Sequence, residues 1–262
     1  MISIIIPTLN EEKYLPKLLE CIKRQTFRDY EVIVADNNSK DKTRQIAEEH
    51  GCKVVDGGLP GVGRNNGAKA AKGDYFMFFD ADVAFGQRFI EKAFNEFQKR
   101  YLEVASCNFI SQSKKYKIFF EAYNTYARMM QFTFRPISGG AFIFLTKRIF
   151  ERIGGFDEQI KIGEDFNLIR RSAKHAKFGM LKSVKIYVSA RRIEKEKSLN
   201  YLTRNIRTEI YRSFKGEIRK DIFKYDFGNY TREEQEFKKQ KTKLNELIKK
   251  FKENKKRKGK DK

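Results

Sequence analysis

The sequence predicts an α/β protein, a mainly parallel sheet flanked by helices and followed by a basic helical extension. Three observations carry that expectation. The first 100 residues alternate short apolar runs with segments of helical periodicity. Apolar residues make up 40% of the chain, with 24 Phe and 12 Tyr, enough for a sizeable core. Acids and a proline stand at the ends of three apolar runs (Pro7, Asp36, Asp80), the sheet edge where open parallel sheets bind ligands.

The elements follow in order. Ile2 to Pro7 is a β-branched run, hence a buried strand. Leu15, Leu18, Leu19 and Ile22 recur at helical spacing, with Pro16 in the first turn. Residues 10–14 are then the connecting loop. Glu31 to Asp36 is a second strand, a helix covers residues 42–51, and Lys53 to Val55 is a short third strand. Arg64 to Lys72 reads as a helix closed by Gly73. Asp74 to Asp80 is a strand apolar on both faces, and Ile90, Ala93, Phe94 and Phe97 mark another helix. Further on, Phe119, Tyr123, Tyr126, Met130 and Phe134 form a helical stripe, expected in the core or beside an acceptor. Lys185 to Ala190 is strand-like.

Several clusters carry chemistry. Asp80-Ala81-Asp82 leaves a strand with two carboxylates on one side, suited to a hard divalent cation on a diphosphate, or to a solvated turn. Asp36-Asn37-Asn38-Ser39 suits a helix cap, with Asn38 left-handed, or hydrogen bonds from Asp36 to a nucleoside. Gly61-Val62-Gly63-Arg64 reads as a glycine-rich approach to a helix, resembling a phosphate cradle without the Walker lysine. Arg64 would there steer a nucleotide or pair with a carboxylate. Ser138-Gly139-Gly140 permits close backbone approach. Glu164 and Asp165 open a helix, where the dipole favours acids; a general base there needs partial burial to offset that dipole. Arg191-Arg192 suits a diphosphate or plain surface charge.

In their order, Ile5-Ile6-Pro7-Thr8-Leu9-Asn10-Glu11-Glu12, Val34-Ala35-Asp36-Asn37-Asn38-Ser39, Gly63-Arg64-Asn65-Asn66-Gly67-Ala68, Phe79-Asp80-Ala81-Asp82, Ser138-Gly139-Gly140, Gly154-Gly155-Phe156-Asp157-Glu158 and Gly163-Glu164-Asp165 resemble the family 2 glycosyltransferases, over residues 1 to about 192. The resemblance implies a GT-A (Rossmann-like) fold and transfer of a hexosyl-type sugar, with inversion, from a nucleoside-diphosphate donor to an acceptor hydroxyl or phosphate, lipid-linked acceptors included. It implies that Pro7, Thr8, Glu11 and Asp36 line the nucleoside pocket, with Arg64, Asp80, Ala81, Arg191 and Arg192 around the nucleotide sugar. Asp82, with Asp80, would hold Mg²⁺ or Mn²⁺; Asp165 would be the base, Glu164 its fallback, and Ser138, Gly139 and Gly140 the acceptor loop. Two departures stand out. Asn37-Asn38 replace the acid and glycine often found there, which lowers the local negative charge. The Gln-x-x-Arg-Trp motif is absent, which argues against a processive synthase.

The implied domains are residues 1–192, with 1–100 as donor half and 101–192 as acceptor half, then an extension over 193–262. Leu199, Leu202, Ile206, Ile210 and Phe214, with Arg204, Arg207 and Arg212 between, read as an amphipathic helix packed on the domain or lying on a membrane. A capping box at residues 231–234 precedes a second amphipathic helix (Leu244, Leu247, Ile248, Phe251). Residues 238–262 hold 13 Lys/Arg against 3 Asp/Glu, and the whole chain carries +22. That balance points to anionic partners, an anionic membrane surface among them. No apolar run spans a bilayer and no secretory leader opens the chain. Three scattered cysteines form neither a metal set nor a disulfide framework. The expectation is a cytoplasmic protein, attached at most peripherally to the inner membrane face. The competing class is a non-catalytic nucleotide-sugar binder or a basic nucleic-acid- or membrane-binding protein; no nucleic-acid reader motif is visible, so no nucleic acid is expected as a partner.

Overall fold

A computed structural model describes residues 1–196 and 198–220, without the side chains of 198–202 and 213. The capping box at 231–234, the second amphipathic helix and the Lys-rich tail lie outside these residues.

The described residues belong to one compact unit. Strand β1 (Ile2–Thr8) is buried along its whole length, as its β-branched run requires. It lies between β2 (Tyr30–Asp36) and β4 (Tyr75–Phe79), parallel to both; β3 (Lys53–Asp56) extends that side in parallel. Helices α1 (Leu15–Lys23), α2 (Thr43–Glu49) and α3 (Pro60–Ala70) make the crossovers. The four-strand parallel half is therefore as the sequence predicts.

Beyond it the sheet becomes mixed. The full order is β3-β2-β1-β4-β7-β6-β8-β5, where β5 is Val83–Ala84, β6 is Val104–Ser111, β7 is Phe142–Thr146 and β8 is Phe178–Val188. Strand β7 runs antiparallel to β4 and β6, and β6 runs parallel to β8. Helices α4 (Phe89–Lys99), α5 (Lys117–Met130), α6 (Lys147–Arg152), α7 (Glu164–Ala173), α8 (Arg191–Glu196) and α9 (Ser198–Lys215) complete the described part. One sheet thus joins residues 1–100 to residues 101–192, and α8 and α9 belong to the same unit.

The core follows the period of two in β4. Met77 and Phe79 face one layer with α1 and α4, while Phe76 and Phe78 face the other with α6 and α7. Phe79 stacks on Phe142 at 5.0 Å, and Phe78 meets Phe156 edge-on at 5.2 Å. Aromatic packing on both faces fixes the strand whose end carries Asp80 and Asp82.

Three expectations need correction. Helix α3 begins at Pro60, so Gly61 and Gly63 lie inside its first turns and form no phosphate-cradling loop. Pro60 pre-sets the helical φ, and the glycines serve packing: a Cβ on Gly67 would stand 2.4 Å from Ile5 Cγ2 on β1. Gly73 does not close this helix, which ends at Ala70; a Cβ there would stand 2.7 Å from Ser3 Oγ. The α5 stripe holds in part: Phe119, Tyr123 and Met130 pack against the core, but Tyr126 and Phe134 are exposed and Phe120, Asn124 and Ala127 are the fully buried positions.

Candidate functional site

Glu11, Asp80, Asp82, Glu164, Asp165, Arg64 and Arg191 arrive from five segments and form one chain of contacts. The β1–α1 and β2–α2 loops are latched first. Asn10 N donates to Ser39 Oγ, Lys40 N to Asn10 Oδ1, Glu11 N to Thr43 Oγ1, and Glu12 N to Asp41 Oδ2. Asn10 and Asn38 both take left-handed φ near +55°, tolerated by Asn. Asp36 is buried and accepts from Thr8 Oγ1 at 3.1 Å and from Ser39 N at 3.0 Å. Its carboxylate builds the turn, the local role open to it from the sequence. Pro7 packs beside Gly63 at the end of β1.

Arg191 opens α8 directly after β8, rather than closing a strand. Its guanidinium binds Glu11 through two contacts of 2.7 and 2.8 Å, and its Nε reaches Asp82 Oδ2 at 2.8 Å. It also lies 4.4 Å over the Tyr14 ring. The pairing of β5 with β8, Val83 opposite Val188, places Asp82 beside Arg191. Burial pushes the Glu11 carboxyl up to about 7 despite Arg191, and the Asp82 and Asp80 charges push it the same way. Burial also raises Asp82, against the pull of Arg191 and Arg192. Negative charge here exceeds what these arginines neutralise.

Arg64 forms the second bridge. Nη2 contacts Asp80 Oδ1 and Nη1 contacts Glu164 Oε1, both at 2.7 Å. The side chain is only 3% exposed and lies 5.4 Å over Phe156, and the carboxylate pairing that the sequence leaves open to it is present. Glu164 is thereby ion-paired. Asp165 beside it has no ion-pair partner among the described residues; Oδ1 accepts from Phe166 N at 2.8 Å. Burial first, then the Glu164 charge, push Asp165 up to about 7, enough to overcome the helix dipole and Arg64. A Cβ on Gly140 would stand 2.9 Å from Arg64 Nη2 and 3.2 Å from Asp165 Oδ2. Gly140 is therefore small because this pair occupies its side-chain space. Ser138 is buried against Ser106, and Gly139 lies against Phe109. Ala81 is buried between the two aspartates, and Asp80 N points to Ala141 O.

A divalent cation fits the chemistry of this cluster. Glu11, Asp80 and Asp82 are hard oxygen donors, and their mutual repulsion favours added positive charge. Among the described residues no three His, Cys, Asp or Glu side chains are placed to hold an ion alone. A cation sharing one or two carboxylates with a diphosphate is the arrangement that suits them.

Asn65, Tyr14 and Arg212 have structural parts that sequence reasoning missed. Asn65 Nδ2 donates to Phe156 O and to Glu158 Oε1, each at 2.9 Å, and Oδ1 accepts from Phe156 N at 2.8 Å. It clamps the turn whose Gly155 takes a φ of 69°. Arg212 braces Gly163, the left-handed residue before Glu164, from α9. Only the placement of Asn65 next to Arg64 in a quoted motif gave any signal.

Comparison with known proteins agrees with this architecture. The Bacillus subtilis (strain 168) uncharacterized glycosyltransferase EpsJ is 31% identical over 121 residues, 43% of this chain and 35% of that protein. Staphylococcus aureus TarS in complex with UDP-GlcNAc superposes with a TM-score of 0.61 at 23% identity, covering 72% of this chain and 58% of that one. The mannosyltransferase PcManGT from Pyrobaculum calidifontis, in complex with GDP-Man and Mn²⁺, gives 0.60 at 18% identity, covering 79% and 64%. This chain therefore spans from about a third to under two thirds of these proteins' lengths. At these identities the two structures speak for the fold, which is the expected GT-A fold. The sequence profile of glycosyl transferase family 2 matches residues 3–155, more than half of the chain. The chain belongs to glycosyl transferase family 2.

Proposed function

We propose that this chain is an inverting glycosyltransferase of hexosyl type, moving a sugar from a nucleoside-diphosphate donor to an acceptor hydroxyl or phosphate, lipid-linked acceptors included. The observation that carries this reading is the contrast between two adjacent acids: Arg64 pairs with Glu164, whereas Asp165 is buried, has no ion-pair partner among the described residues and is raised to about 7. Such a carboxylate can take a proton near neutral pH.

In this reading Asp165 removes the acceptor proton, and the freed oxygen forms a bond to the anomeric carbon from the face opposite the leaving group. The bond from that carbon to the diphosphate oxygen breaks, and its electron pair leaves with the nucleotide. Arg191 and Arg192 move toward the departing diphosphate. Asp82, with Asp80, would hold Mg²⁺ or Mn²⁺, which when bound offsets negative charge on the diphosphate. Thr8, Glu11 and Asp36 hold the nucleoside side of the cleft, and Ser138 to Gly140 face the acceptor. The cysteines are all free thiols, which supports a reducing, cytoplasmic setting.

The test starts with a thermal-shift screen of UDP, GDP and CMP sugars with Mn²⁺, followed by transfer assays with the selected donor. Asp165→Asn is expected to lower kcat by about 10²–10⁴-fold with donor KM nearly unchanged. Undiminished turnover in that variant would remove Asp165 from the mechanism.

A further inference from the structure

Helix α9 lies with its polar side inward. Thr208 and Arg212 are 6% and 5% exposed. Arg212 lies 5.0 Å over the Phe166 ring and donates to Glu209 and Glu217; Glu209 also pairs with Arg170 of α7. Ion pairs and a cation–π contact thus dock the helix. Its apolar stripe faces away: Ile206, Ile210 and Phe214, at i, i+4 and i+8, are 50%, 54% and 83% exposed. This reverses the usual orientation of a surface helix.

A second exposed apolar group borders the same helix, α7. At and just past the end of α5, Met129, Phe132 and Phe134 are 68%, 86% and 87% exposed. Met130 packs in the cluster that includes Phe166, the ring beneath Arg212. Arg135 is near enough to Arg170 for their charges to interact. Large apolar side chains scattered singly need no explanation, but an outward stripe beside a tip with two phenylalanines does.

We propose that the outer stripe of α9 and the 129–134 tip form a docking surface for an anionic lipid bilayer. The charge selects this occupant. Arg128, Arg207, Lys215 and Lys220 are exposed around these apolar residues, placed to meet lipid headgroups while the Ile and Phe side chains enter the acyl boundary. A second copy would set one chain of +22 against another. The proposal is independent of the transfer chemistry.

The chain has no tryptophan, so Phe214→Trp gives a single reporter in the full-length protein. Its emission should be water-like in buffer, shift to the blue on phosphatidylglycerol-containing vesicles, and be quenched by brominated acyl chains. A second full-length variant combines Ile206→Glu, Ile210→Glu and Phe214→Glu. Its vesicle partition should fall by roughly a hundredfold or more, measured at about 0.3 M salt so that electrostatic attraction by the Lys-rich tail is screened. Blue emission in buffer that vesicles leave unchanged would mean that the chain itself covers the stripe. A concentration-dependent dimer that the triple variant abolishes would assign the stripe to a second copy. Either result, or equal partition of variant and wild type, overturns the proposal.

Discussion

Glu164 and Asp165 are neighbours in one helical turn, yet their surroundings divide them: Glu164 meets Arg64 at 2.7 Å, whereas Asp165 accepts from the Phe166 backbone N–H and has no ion-pair partner among the described residues. If Asp165 is the base, kcat/KM rises with pH through an apparent pKa near 7 and flattens above it. The same shift has a stability consequence of opposite sense. The folded state favours the protonated carboxyl, so its stabilising contribution is present at acidic pH and lost as pH rises through about 7. Asp165→Asn should therefore melt several degrees above wild type at about pH 8, with the gap narrowing on acidification and closing only near about pH 4. A gap that widens on acidification would refute the assigned burial. Asp80, Asp82 and Asp165 were legible as acids at element ends. Which cation each would meet was not, because Arg64 finds Glu164 100 residues away and Arg191 finds Glu11 180 residues away.

At the scale of elements, the Asn65 clamp ties α3 to the turn that leads into α7. Asn65→Ala would strand the buried Phe156 N–H and C=O. The expected cost is about 2–4 kcal/mol, read as a fall in Tm of roughly 5–10 °C. A loss within a degree would show that water replaces the clamp. Strand and helix periodicity found β1, β2, β4 and α1 because their apolar positions are the buried ones. It misjudged α3, whose glycines pack against β1 rather than break a helix. For α5 and α9 it left open which side faces inward. Periodicity shows that a helix has an apolar side, not which side meets the protein, and in α9 buried Arg212 docks the helix instead.

At the scale of the molecule, the sheet order explains why sequence-distant acids meet. The parallel strands β1, β2 and β4 point their carboxyl ends one way, and β7 and β8 return the 138–140 turn and Arg191 to that edge. Strands β6 and β8 were hard to read, since polar residues interrupt their apolar runs. No helix among the described residues is long and apolar enough to cross a membrane. The central claim is that these converging acids form one donor site, in which Asp82 exchanges Arg191 for a cation on a diphosphate. The direct measurement is calorimetric titration of UDP and GDP, each with Mn²⁺, into wild type, Asp82→Asn and the control Glu91→Gln, a partly buried acid paired with Arg88. The account predicts one Mn²⁺-dependent site, weakened at least about tenfold by Asp82→Asn and unaltered by the control. Equal binding by wild type and Asp82→Asn, or no binding of either nucleotide to wild type, would contradict it.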